Sequence, residues 1–106
     1  MVKEILTAAG IPERGSRFVK PPAGVYAVWF DHITGDGPDG EPPCIFTHDV
    51  ELELYEPRKN DAAVAALEAE LTAAGLKWTK QDRLWIQTEQ MYQTIYEFTH
   101  IEKRRT

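Results

Sequence analysis

The strongest constraint in this sequence is an alternation ten residues long. Phe46, His48, Val50, Leu52 and Leu54 fall on one phase, and Thr47, Asp49, Glu51, Glu53 and Tyr55 on the other. A period of two belongs to a strand with one face buried and one wet. Pro57 ends the pattern, because it cannot donate to a strand ladder. The chain must therefore build a sheet and cover one face of it.

The cover is residues 60–75, NDAAVAALEAELTAAG. Val64, Leu67, Leu71 and Ala74 recur at three- and four-residue steps, which places them on one face of a helix. Asn60 or Asp61 can cap the first amides, and Gly75 can take the left-handed conformation that ends the helix. A helix of this length is not stable alone in water and needs a sheet to lie on. Beside its apolar stripe runs a row of small residues, Ala62, Ala65, Ala69 and Ala73, a candidate subunit contact.

The remaining elements follow in order. Val2, Ile5, Leu6 and Ala9 have helical spacing that Gly10 and Pro12 stop, so a short N-terminal helix is expected, followed by a polar connection over residues 13–22. Residues 24–33, GVYAVWFDHI, read as a strand apolar on both faces, either central or covered by another subunit. Residues 34–43, TGDGPDGEPP, hold three glycines and three prolines and read as a long exposed loop. Residues 76–80 and 84–87 read as short strands or one hairpin turning at Gln81, Asp82 and Arg83. Residues 89–101 read as a last long strand with Tyr92, Thr94, Tyr96, Phe98 and His100 on one face. The expected fold is a single α+β domain spanning residues 1–106: a mainly antiparallel sheet, one long amphipathic helix packed on it and a short N-terminal helix.

The net charge of −5 argues against general nucleic-acid binding, because phosphate contacts need clustered Lys and Arg. Only Lys103, Arg104 and Arg105 form a basic run. The longest apolar run is far short of a membrane span and the N-terminus lacks a signal-peptide core, so a cytosolic protein is expected. The single Cys44 excludes an internal disulfide and a multi-cysteine zinc site.

Signals for chemistry are sparse. Asp31-His32 and His48-Asp49 lie on neighbouring expected strands and together offer two imidazoles and two carboxylates to a metal. Adjacent residues on a strand face opposite ways, however, and a half-buried histidine beside a polar neighbour is the competing reading. Asp36, Asp39 and Glu41 do not have calcium-loop spacing, and the glycines match no phosphate-binding pattern. Ser16 and Cys44 have no identifiable activating base. These observations lead to the expectation of a protein that is not an enzyme and uses no cofactor. Large rings are plentiful for so small a chain. Tyr55 and Trp85 are candidates for an interface, together with Asp36, Asp39, Ala62, Ala65 and Ala69. Asp49, Glu51 and Glu53 form an acidic stripe on the outward phase of their strand.

From His48 onward the chain resembles a family of small tail-terminator, or head-tail joining, proteins of siphophages and prophages of Gram-positive bacteria. The resemblance rests on HDVELELYEPRKND, on the helix with Glu68 and Glu70, and on LKWTKQDRLWIQTEQMYQTIYEF, with PAGVYAVW a fainter match upstream. It implies a structural protein that forms a homo-oligomeric ring, typically a hexamer. Such a ring caps the tail tube and joins it to the head connector, assembling in the bacterial cytoplasm and ending at the head-tail junction of the virion. On that reading the partners are further copies of the chain, the tail tube and the connector proteins, with no membrane and no specific nucleic acid. Asp49, Glu51 and Glu53 would face a lumen through which DNA passes, where like charge prevents sticking. A small monomeric module that holds a peptide or protein on an aromatic sheet face is the alternative.

Overall fold

The computed structural model describes residues 1–15, 23–37 and 44–104. Helix α1 (Val2–Ala8) leads into a short strand β1 (Glu13–Gly15), then β2 (Tyr26–Asp36), β3 (Ile45–Glu56), helix α2 (Asp61–Ala73), β4 (Thr79–Lys80), β5 (Leu84–Ile86) and β6 (Met91–Lys103). The sheet is mixed, in the order β1-β2-β3-β6-β4, with β5 also paired to β6. Strand β1 runs parallel to β2 and the other pairings are antiparallel.

The register fixes the two faces. Trp29, Leu52 and Tyr96 stand side by side, as do Asp31, Val50 and Phe98, and Ile33, His48 and His100. Both helices cover this face. Leu67 and Leu71 of α2, with Val2, Ile5 and Leu6 of α1, join Ala27, Val50, Leu52, Leu54, Tyr96 and Phe98 in one buried cluster. Among the described residues no helix covers the other face, which carries Phe30, Asp49, Glu51, Glu53 and Glu97.

Several expectations are corrected. Neither helix is long, at 7 and 13 residues. In α2 the ends are fixed locally: the Asn60 side chain accepts from the Ala63 amide at 3.0 Å, and Gly75 has φ +76°. Thr34, Gly35 and Asp36 belong to β2 and not to a loop, because cross-strand pairing with Thr47, Phe46 and Ile45 outweighs the weak strand preference of glycine. Of the two readings for residues 76–87, short strands hold and the hairpin does not, because β4 and β5 each pair separately with the outer edge of β6. Residues 13–15 of the expected polar connection form β1, held by the Ala27 backbone N–H donating to the Pro12 carbonyl and by Trp29 Nε1 donating to Glu13 at 2.9 Å.

Glu56 is the largest exception to the polar-out rule. It falls on the inward phase of β3 and is fully buried, 0% exposed. Arg83 donates to its two carboxylate oxygens from Nε (3.2 Å) and Nη2 (3.1 Å), and the Asn60 amide donates to Oε2 at 2.7 Å. Arg83 also reaches Asp61 at 3.2 Å. This pair ties the β3–α2 elbow to the segment between β4 and β5. Removing one partner of a buried pair leaves the other charge uncompensated, so Arg83→Ala is expected to cost about 3–5 kcal/mol. Chemical denaturation checks this, and a loss below about 0.5 kcal/mol, the range of ordinary surface substitutions, would contradict it.

Candidate functional site

The helix layer ends partway along the sheet, and at its end the first turn of α1 and the strand ends enclose a cleft of about 600 Å³. His48 is buried at its base. Its Nδ1–H donates to Asp31 Oδ2 at 2.8 Å and its Nε2–H to Glu102 Oε1 at 2.9 Å, which joins β2, β3 and β6 through one ring. Only a doubly protonated imidazole can donate to two carboxylates at once. In keeping with this, the hydrogen bonds from Asp31 and Glu102 push the His48 pKa up against the opposing effect of burial. Arg104 and His48 pull Glu102 down to about 2. His100 stacks on His48 at 4.2 Å and 9° and is pushed the other way, by burial and by the neighbouring imidazolium. The second oxygen of Asp31, Oδ1, is buried with no hydrogen-bond partner among the described residues.

With both nitrogens donating, His48 has no lone pair for a metal or a substrate proton. It acts as a clamp across three strands. His32 pairs with Asp49 on the open face, so the sheet separates it from His48 and the two cannot share an ion. Among the described residues no group of three or more His, Cys, Asp or Glu is arranged to hold a metal. Cys44 is half-buried beside the start of β3, and Ser16 lies outside the described residues.

The expected interface residues do not converge on one patch. Trp85 is 43% exposed and meets Tyr92 edge-on at 4.9 Å, near the far end of the sheet from the histidines. Tyr55 is half-buried on the open face and stacks on Tyr26 at 5.1 Å. Its hydroxyl donates to Glu53 at 2.7 Å, and burial with that carboxylate pushes its pKa up to about 12. Ala62, Ala65 and Ala69 are exposed on α2, and Asp36 is exposed at the end of β2. Asp39 lies outside the described residues.

The acidic stripe does form one surface. Asp49, Glu51 and Glu53 line the open face of β3, and Glu97 stands directly opposite Glu51. Like charges placed opposite one another oppose sheet pairing. Thr99 donates to Asp49 at 2.7 Å and Gln81 to Glu97 at 3.3 Å.

No pattern in the sequence marks Glu56 or Glu102 as a paired carboxylate, and Arg83 and Arg104 read only as a turn residue and part of a basic run. For Glu56 a signal of burial existed, since it continues the inward phase of β3. For Glu102 none did: it meets His48 only because β3 and β6 pair in this register.

Neither a protein-family model nor a curated protein matches the sequence. Solved structures share its fold, two of them as follows. One is a chain of the virion of a native gene transfer agent particle, 14% identical with a TM-score of 0.57, matched over 90% of this chain and 81% of that one. Another, described only by a sequence code, is 11% identical with a TM-score of 0.63 over 98% of this chain and 87% of that one. The superpositions establish a common fold, and at identities this low they establish the fold alone. No helix among the described residues is long and apolar enough to cross a membrane.

The clamp gives a pH dependence. A raised His48 pKa means stability that is fully present below the ordinary imidazole range, near 6.5, and is lost as pH rises through the raised value. The depressed Glu102 contributes stability above the usual 4.5 that is lost as pH falls toward about 2. Denaturant titrations of the native protein and His48→Gln should therefore show a larger gap at about pH 5 than at about pH 9. An equal gap at both would contradict the charged clamp.

Proposed function

We propose that this chain is a non-enzymatic structural protein of a phage-type virion, acting as a tail terminator. In this role several copies close into a ring, typically a hexamer, that caps the tail tube and meets the head connector. The observation that supports it most is the fold shared, over nine-tenths of the chain, with a component of a gene transfer agent virion. The residues that resemble Gram-positive tail terminators, the strand from His48 to Glu56 and the aromatic strand through Phe98, form β3 at the centre of the sheet and its long antiparallel neighbour β6. They set the frame on which a ring would be built.

On this reading the open face, with Asp49, Glu51, Glu53 and Glu97, is turned to the lumen. Its uncompensated charge would keep passing DNA from adhering. The other surfaces meet neighbouring copies, the tube and the connector, and no cofactor takes part.

Mass measurement by light scattering after size exclusion, alone and with a tail-tube protein of the same phage, tests the proposal. A closed species of about six times the 12.1 kDa chain mass is expected, and tube elongation should stop when the protein is added. A chain that stays monomeric in both settings and leaves tube growth unchanged would favour the monomeric binding module instead.

A further inference from the structure

The two long edges of the sheet are treated differently at its two ends. Near the helices the outer edge of β2 is covered by β1, but only from Ala27 to Trp29. The outer edge of β6 is covered by β5 from Met91 to Gln93 and by β4 at Tyr96 and Glu97. Beyond those points the sheet narrows to three strands. Among the described residues, no strand lies against β2 from Phe30 to Asp36 or against β6 from Phe98 to Lys103.

The backbone groups on these bare edges point outward in a definite pattern. The Ala27 amide donates to Pro12 at 2.9 Å, on the side away from β3, and strand alternation places the amides of Asp31, Ile33 and Gly35 on that side too. The Ile95 carbonyl accepts from Gln81 at 2.9 Å, which in the same way turns the backbone groups of Thr99, Ile101 and Lys103 outward on β6. Proteins ordinarily blunt such edges with charge, proline or a covering element. Here Ile33 is 48% exposed and Ile101 63% exposed. The edges also match one another. Both strands run antiparallel to β3, so β2 and β6 point the same way. Asp36 and Lys103 both stand opposite Ile45, at the same level of the sheet, one on each edge.

We infer that copies of this chain join by strand addition, with the bare edge of β2 (Phe30–Asp36) pairing in parallel with the bare edge of β6 (Phe98–Lys103) of a second copy. The inference rests on the ring reading above and names the surface that makes the ring. A contact between two different edges is heterologous, so it repeats from copy to copy until the rotation closes it. It satisfies the outward amides and carbonyls, covers Ile33 and Ile101, and sets Asp36 beside Lys103 of the neighbour. It leaves the acidic open face of every copy turned the same way.

Engineered disulfides test this in a Cys44→Ser background, at low protein concentration under mild oxidation. Thr34 and Ile101 both pair with Thr47 and so share one face and one level of the sheet. Brought onto adjacent strands, cysteines at these positions lie within disulfide reach. Thr34→Cys with Ile101→Cys in one chain should give a ladder of covalent multimers ending at the ring size, while each single variant stays uncrosslinked. A dimer from either single variant would show a two-fold contact and overturn the inference. Ile33→Lys with Ile101→Lys should yield a folded protein by circular dichroism that no longer assembles. If the native chain forms rings but the double-cysteine ladder is absent and the double-lysine variant still assembles, the edge pairing is wrong and the ring reading stands. If the native chain forms no ring in any setting, both fall.

Discussion

Strand β3 is hydrogen-bonded along both edges for all but its last residue, and the register this imposes decides where every other group lies. Eleven residues paired with β2 on one side and twelve paired with β6 on the other make a ribbon of roughly 40 Å. The molecule is accordingly elongated, 51 Å in its longest dimension against 28 and 22 Å. Two short helices cannot cover a ribbon of that length. They shield the half bearing Leu52, Leu54 and Tyr96, and the other half projects beyond them. The His48 clamp sits at that boundary, where the apolar core gives way and a cross-strand tie between β2, β3 and β6 has to be polar.

Much of this is legible in the sequence because it is periodic. The alternation through residues 46–55, the three- and four-step spacing of Val64, Leu67 and Leu71, and the aromatic phase of Tyr92 to His100 each bury the middle of the side they announce, while Phe46, Val64, Tyr92 and His100 are half-buried and Ala74 is exposed. What is not legible depends on partners distant in the chain. Strand β1 is three polar residues that become a strand only because β2 offers an amide and Trp29 a ring nitrogen. Gly35 reads as a loop residue and is held extended by its neighbour on β3. Arg83 reads as a turn residue, yet it neutralises a carboxylate 27 positions earlier. Of the candidate site, the meeting of Asp31 and His48 follows from neighbouring strands, but Glu102 completes the clamp from 54 positions away. No local pattern carries that information.

The features that bear on function are anomalies of the open face and of the projecting half. Among the described residues Glu51 stands opposite Glu97 on that face, and in the projecting half two strand edges are bare, with Ile33 and Ile101 exposed on them. Each is costly or hazardous in isolation. Together they make sense if copies add edge to edge, since the edges are then paired and the open faces combine into one negative surface. The buried core is conventional and closed, whereas the projecting half carries the edges that the proposed strand addition would pair.

Residue-resolved hydrogen exchange tests that claim most directly, by following amides that alternate along one strand. In dilute protein the outward amides of Asp31, Ile33 and Gly35 should exchange quickly while those of His32 and Thr34, bonded to β3, exchange slowly. In the assembled state the first three should become as slow as the second two. Outward amides already protected in dilute monomer, or still fast in the assembled protein, would contradict the account.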